Sequence, residues 1–168
     1  MNTIFKDETK LDINYTPTQL PHRQQQQNLL NQYFRYTTEN PNKMSQRIII
    51  TGKTGTGKTA LAQRFGIDKT KEAKNKNINL QYTHINCRQH NGKLYTILQQ
   101  TIQNLHPNFP KRGYSAEELL NTLTQTLDET NTHLILALDE METLIQNEGS
   151  EAIYKLTRAQ ESRMNKPQ

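Results

Sequence analysis

Residues 48–59 read IIITGKTGTGKT, three isoleucines followed by a glycine-rich stretch that ends in Lys-Thr. A short β-branched run that stops at a glycine is typical of a buried parallel strand. The stretch from Gly52 to Thr59 fits the pattern G-x-x-x-x-G-K-[ST], in which glycines let backbone N–H groups surround a phosphate. A helix that begins at Lys58 would point its positive N-terminus at the same anion. Strand, loop and helix together predict a Walker A phosphate loop, and they argue against a chance glycine-rich turn.

Two residues of this loop have specific predicted roles. Lys58 is expected to reach the β- and γ-phosphates of the nucleotide, and the Thr59 hydroxyl is expected to ligate Mg²⁺. ATP or ADP and Mg²⁺ are therefore the predicted cofactors. The other predicted nucleotide contacts in the loop are Gly52, Thr54, Gly55, Thr56, Gly57 and Ala60.

A second motif combines a strand with two acids. Residues 134–138 read LILAL, apolar on both faces as in a central strand, and Asp139 and Glu140 follow directly. In a Walker B motif, Asp139 would hold Mg²⁺ directly or through water, and Glu140 would act as general base on the attacking water. Alternatively, the two carboxylates cap the helix that starts near Met141. Their occurrence with a phosphate loop favours the Walker B interpretation and hydrolysis of a nucleoside triphosphate.

The rest of the chain alternates between helical and strand patterns. Residues 69–79 are rich in lysine and asparagine and are interpreted as an exposed loop. Ser115 and Glu118 form a predicted capping box at the start of a helix. This alternation predicts an α/β fold with a largely parallel sheet. Helices are predicted over residues 22–36, 58–65, 94–105 and 150–159, and a further strand over residues 80–86.

Composition excludes several classes of protein. The chain has 168 residues, the length of one domain, and a formal charge of +5 that permits nucleic-acid binding without requiring it. Its longest apolar stretches fall far short of the roughly 18 residues of a membrane-spanning helix. Residues 1–10 lack the apolar core of a secretory signal, and the single Cys87 cannot form an internal disulfide. We therefore expect a cytoplasmic protein with no membrane partner.

A segment ahead of the phosphate loop points to one family. Residues 15–23 read YTPTQLPHR, which resembles the start of the archaeal origin-recognition and cell-division-control AAA+ ATPases that initiate DNA replication. Further similar segments cover residues 54–60, 85–88, 138–142 and 153–158, so that the resemblance extends over roughly residues 4–162. Many ATPases share the Walker motifs, whereas Leu-Pro-His-Arg is the specific part. Residues 24–27 are glutamines where the family usually has acids.

This resemblance implies a three-layer P-loop NTPase of the AAA+ type, in which a parallel sheet is flanked by helices. It implies that Leu20, Pro21, His22 and Arg23 line the adenine pocket. It also implies double-stranded origin DNA as a partner, with other initiator subunits or a helicase as further candidates.

Residues 108–114, NFPKRGY, occupy the place of an initiator-specific insertion in this family. From it Lys111 and Arg112 could contact DNA phosphates or a minor groove. An ordinary Pro-Gly surface turn is the alternative.

The resemblance also suggests how the chain is organised. Residues 1–20 are expected to form an N-terminal segment, and residues 21–168 a partial ATPase core that is incomplete at its C-terminal end. In the family, a sensor strand lies between the strands at 48–50 and 134–138. We expect this strand, the family's lid and its winged-helix domain to have no counterpart in this chain. We therefore expect a truncated product or fragment with weak or no ATPase activity. Two other functions stay open: a P-loop signalling or transposition switch, and an inactive relic acting as a binding module.

Overall fold

The computed structural model describes residue 10, residues 15–41 and residues 45–164, with side chains up to residue 158. The described residues therefore leave out residues 1–9 and 11–14 of the predicted N-terminal segment. They also leave out residues 165–168 at the end of the predicted core. The described residues form, in chain order, α1 Gln24–Tyr33, α2 Tyr36–Glu39, α3 Lys58–Asn75, β1 Leu80–Asn86, α4 Leu94–Leu105, α5 Ala116–Glu129, β2 His133–Asp139, α6 Met141–Glu148 and α7 Ser150–Met164.

The two strands form a parallel sheet. Leu80 is paired with His133 at one end of the ladder, and Asn86 with Asp139 at the other. The carboxyl ends of both strands therefore meet at one edge of the sheet. The predicted strand over 80–86 is confirmed, and residues 134–138 lie within β2.

Apolar side chains pack on both faces of this sheet, which gives three layers. Helices α1 and α3 cover one face, and helices α4, α5, α6 and α7 cover the other. The buried residues on the first face are Leu30, Leu61, Phe65, Ala73, Leu80 and Ile135. Those on the second are Ile85, Cys87, Leu94, Ile97, Leu98, Ile102, Leu119, Leu123, Leu127, Leu144 and Ala152.

The prediction of a strand at residues 48–50 is wrong for the described structure. Residues 45–53 have no regular secondary structure, and the Ile49 side chain is 74% exposed. Ile48 and Ile50 nevertheless pack against the α1–α3 side of the core. A strand needs a neighbouring strand to satisfy its backbone groups, and among the described residues β2 pairs only with β1. The prediction that residues 134–138 form a central strand is also wrong for the described residues, because β2 has a strand neighbour on one side only.

The prediction of an exposed loop over residues 69–79 is also wrong, because α3 continues to Asn75. Lys69 is buried and pairs with Glu72 at 2.7 Å, while Ala73 is buried against the core. These two buried residues are four positions apart, so they lie on one face of the helix and pack it against the core while the rest of the polar stretch stays accessible to solvent.

The other helix predictions are largely confirmed. The capping box at Ser115 is present, with Glu118 bonded back to the Ser115 backbone. The helix expected over 22–36 is divided into α1 and α2, and α7 extends to Met164. None of the helices in the described ranges is long and apolar enough to cross a membrane.

Candidate functional site

The phosphate loop is an exposed turn whose glycines have left-handed backbone conformations. Gly55 has φ 79° and Gly57 has φ 81°, and a Cβ at either position would meet no atom within 4 Å. These two glycines are therefore required by the backbone conformation and not by lack of space. Gly57 is the N-cap of α3, so unpaired N–H groups of the first helical turn lie next to the loop.

Lys58 folds back over the loop that precedes it. Its Nζ donates hydrogen bonds to the carbonyl oxygens of Gly52, at 2.9 Å, and Lys53, at 3.1 Å. The Thr56 hydroxyl also donates to the Lys53 oxygen, at 2.8 Å. A positive charge thus lies against the loop at the start of a helix, an arrangement that suits a phosphate.

The two motifs that are far apart in sequence meet at Thr59 and Asp139. Thr59 Oγ1 donates to Asp139 Oδ2 at 2.5 Å, and the Glu140 backbone N–H donates to Asp139 Oδ1 at 2.9 Å. A hydroxyl and a carboxylate are oxygen ligands of the kind that Mg²⁺ prefers. The donor set therefore fits the predicted metal.

Helix α3, which carries Thr59, packs closely on β1, and β1 pairs with β2, which ends at Asp139. A Cβ on Gly66 would lie 2.4 Å from the ring atoms of Tyr82, so that only glycine lets the helix approach the strand here. The Tyr82 hydroxyl is buried, and burial, with the nearby charge of Asp139, raises its pKa.

The Leu-Pro-His-Arg segment forms a tight turn beside the phosphate loop. The Arg23 backbone N–H donates to the Leu20 oxygen at 3.2 Å, and His22 has a left-handed φ of 60°. The Arg23 guanidinium donates to the Thr56 carbonyl oxygen, and Leu20 packs against the core. Pro21 and His22 are exposed. The structure thus brings Arg23 to the loop, and the adenine-pocket role of the segment stays a prediction.

The remaining loop candidates, Thr54 and Ala60, lie on either side of the helix start. Thr54 is exposed, and Ala60 is half-buried in the first turn of α3. Within the described part of the chain, the Thr54 side chain makes no hydrogen bond.

The predicted DNA-contacting turn projects from the opposite layer. The Lys111 carbonyl oxygen accepts hydrogen bonds from Tyr95 Oη, at 3.1 Å, and from Gln99 Nε2, both on α4. The Phe109 and Tyr114 rings stack with centroids 5.1 Å apart. Lys111 and Arg112 are exposed. The turn is thus tied down by its backbone while its cations stay in solvent.

Cys87 lies just beyond β1 and is fully buried. Burial and the nearby carboxylates of Asp139 and Glu142 raise the pKa of its thiol to about 11. The thiol is therefore protonated at neutral pH and is a poor nucleophile.

Three residues near these features were not found from the sequence. His84 lies beside Asp139, with Nε2 3.4 Å from Oδ2, and Tyr95 and Gln99 hold the basic turn. Finding His84 requires knowing that β1 and β2 are neighbours and in which register. A single sequence carries no signal for that pairing.

The three-layer fold, with a phosphate loop at the start of α3, defines a P-loop NTPase of the AAA+ type. A family model described as an AAA domain matches residues 42–166, and the chain belongs to this family. It is 36% identical over 157 residues to the ORC1-type DNA replication protein 2 of Sulfolobus acidocaldarius, which covers 94% of this chain and 38% of that protein. It is 33% identical to the ORC1-type DNA replication protein 1 of Methanothermobacter thermautotrophicus, covering 93% of this chain and 41% of that protein.

Two solved structures that share the fold of this chain are also of ORC proteins. The Aeropyrum pernix ORC1 protein in complex with DNA superposes with a TM-score of 0.81 at 24% identity, over 94% of this chain and 41% of that one. The ADP form of the Aeropyrum pernix ORC2 protein gives a TM-score of 0.81 at 26% identity, over 95% and 42%. The resemblance to archaeal replication initiators and the predicted fold class are confirmed. The chain spans about two fifths of the length of these proteins.

Proposed function

We propose that this chain is the ATP-binding part of a DNA replication initiator, which binds ATP or ADP with Mg²⁺ and hydrolyses ATP. Residues 21–168 would be its partial ATPase core. The observation that carries the proposal is the 2.5 Å hydrogen bond between Thr59 and Asp139. This bond supports the proposal because the hydroxyl of the phosphate loop and the acid at the end of β2 are close enough to share one cation.

The residues of the site divide the chemistry among them. Lys58 and the N–H groups at the start of α3 would bind the phosphates. Thr59 and Asp139 would hold Mg²⁺, which when bound would neutralise charge on the β- and γ-phosphates. Glu140 would accept the proton of the attacking water, since it is exposed and directly follows Asp139. Arg23, bonded to the Thr56 carbonyl, would fix the loop against the Leu20–Arg23 turn.

We further propose that double-stranded origin DNA contacts the basic turn. One structural relative, the Aeropyrum pernix ORC1 protein, was solved in complex with DNA. Here Lys111 and Arg112 are exposed, and no ion pair occupies either among the described residues. Because Tyr95 and Gln99 hold the turn by a backbone carbonyl, both cations are free to meet phosphates. Other initiator subunits or a helicase are further proposed partners.

The relatives do not favour a signalling or transposition switch, because those reported above are ORC1-type replication proteins. The inactive relic differs from the proposed function by one measurable property, since it would bind partners without any turnover of ATP.

The test is nucleotide binding by calorimetry. Lys58→Ala should abolish ATP and ADP binding, because the cation against the phosphates is lost, while the helix content stays unchanged. Lys53→Ala is the matched control: it removes an exposed lysine from the same loop and should bind nearly as tightly as the wild type. Equal affinity of Lys58→Ala and wild type would refute the assignment of the phosphate loop.

A further inference from the structure

Two buried polar atoms on the α3 face of β1 have no hydrogen-bond partner among the described residues. They are Tyr82 Oη and His84 Nε2. Residues 82 and 84 lie on the same face of the strand because side chains alternate. Unpaired buried polar atoms are uncommon and call for a physical explanation.

The register of the sheet places His84 next to the Walker B acid. His84 is opposite Ala137, so its side chain shares a face with Asp139, two residues further along β2. His84 Nε2 lies 3.4 Å from Asp139 Oδ2, and both side chains are four-fifths buried. This separation is too long for a good hydrogen bond. The same oxygen already accepts the Thr59 hydroxyl at 2.5 Å.

We propose that His84 is a positioning residue for Asp139 in the magnesium–nucleotide state; the inference rests on the function proposed above. If the Thr59 hydroxyl instead bound the cation, Asp139 Oδ2 would lose its donor. His84 Nε2, buried and 3.4 Å from Oδ2, would donate in its place if it carries the ring proton. Asp139 Oδ1 stays bonded to the Glu140 N–H. With both oxygens held, the carboxylate keeps one orientation towards the metal.

Such an outer partner matters because a ligand carboxylate that is free to rotate binds a cation less well. Loss of residues that orient metal ligands typically weakens metal affinity about 10–100-fold. A histidine that merely filled space between β1 and α3 would have no such effect. Side-chain volume and donor capacity can be separated by substitution.

The experiment measures how Mg²⁺ strengthens binding of a fluorescent ADP analogue, methylanthraniloyl-ADP. His84→Gln keeps an N–H donor, whereas His84→Met has a similar length and no donor. We expect His84→Met to raise the half-saturating Mg²⁺ concentration about tenfold, and His84→Gln to stay within about threefold of wild type. In EDTA, all three proteins should bind the analogue equally. Circular dichroism checks folding, and His84→Phe replaces His84→Met if the latter does not fold.

Equal Mg²⁺ dependence in wild type and the donor-free variant would overturn the proposal. So would equal losses in His84→Gln and His84→Met, which would indicate a role in packing alone. These results differ from failure of the proposed function, in which the wild-type chain would not bind the analogue or would bind it no better than Lys58→Ala.

Discussion

Glu140 has a left-handed backbone conformation, φ 50° and ψ 42°, at the junction between β2 and α6. This conformation costs a residue with a Cβ about 1–2 kcal/mol. Strained non-glycine residues persist where the surrounding structure or a function holds them. Here the left-handed conformation turns the chain from β2 into α6, while the Glu140 N–H stays bonded to the Asp139 carboxylate. The backbone of Glu140 thus holds one carboxylate oxygen of Asp139, the proposed metal ligand.

We expect Glu140→Gln to preserve ATP binding and to stop hydrolysis, because the amide keeps the shape of the side chain but cannot accept the proton of water. The measurement is single-turnover release of phosphate from bound, radiolabelled ATP, which detects slow hydrolysis. Glu142→Gln removes an exposed acid nearby and should hydrolyse ATP at the wild-type rate. Unchanged turnover in Glu140→Gln would mean that another group is the base.

At the scale of the element, α3 depends on one carboxylate. Glu72 accepts hydrogen bonds from Lys69, Lys76 and the Thr38 hydroxyl at 2.7–2.8 Å, which joins α2 to α3. Burial raises its pKa, but these three hydrogen bonds outweigh burial and lower the pKa to about 2. Lys69 is buried, so removal of its acid would leave an ammonium group without a counter-charge.

Glu72→Gln should therefore lower the free energy of unfolding at pH 7 by about 1–2 kcal/mol, discounted because Glu72 is partly exposed. Since the folded pKa lies below the ordinary value, this stabilisation is present above about pH 4.5 and is lost as the pH falls towards 2. The measurement is the urea midpoint at pH 7 and at pH 3. The difference between wild type and variant should shrink at the lower pH.

The control for this change is Glu151→Gln on α7. Glu151 pairs with Lys155 at 3.1 Å, but both side chains are exposed. Its loss should leave the urea midpoint nearly unchanged, because exposed ion pairs contribute little to stability. Equal effects of the two substitutions would contradict a special role for Glu72.

The basic turn should contribute to DNA affinity through charge. Replacing Lys111 and Arg112 with alanine should weaken duplex binding and reduce the slope of log affinity against log salt by up to about two. Duplex binding measured by fluorescence anisotropy at several salt concentrations tests this. Lys71→Ala with Lys74→Ala, two exposed lysines on α3, is the control. An unchanged slope in the turn variant would make it an ordinary surface loop.

At the scale of the whole molecule, the sheet has only two strands within the described residues, so neither strand has a partner on its outer edge. Among the described residues, the edge of β2 away from β1 has no strand partner, and Ile49 exposes three quarters of its side chain. Open apolar strand edges favour pairing between molecules. Buried backbone groups without partners cost about 1–3 kcal/mol each, against a total stability of about 5–15 kcal/mol.

The 168-residue chain by itself should therefore associate or unfold with low cooperativity, and should turn over ATP slowly. Size-exclusion chromatography with light scattering and a thermal unfolding scan measure this. Ile49→Lys should reduce association, because it places a charge at the exposed position, whereas Leu29→Lys on α1 should not. A monodisperse monomer with a cooperative transition and normal ATP turnover would contradict the prediction.

The sequence by itself determined the local chemistry of this protein. The glycine pattern of the phosphate loop, the Asp-Glu pair after LILAL, and the Ser115–Glu118 capping box depend on short-range backbone requirements that residue identity encodes. The resemblance to replication initiators rests on such segments too. Each needs only a few neighbouring residues to be recognised.

Tertiary structure decided whatever depends on neighbours distant in the chain. Residues 48–50 have a strand's composition but, within the described residues, no strand beside them. The lysine-rich stretch after Asp68 is helical because Lys69 and Ala73 are buried against other elements. His84 reaches Asp139 only through the register of β1 with β2. Strand pairing and burial are long-range interactions, so a pattern read along one chain does not specify them.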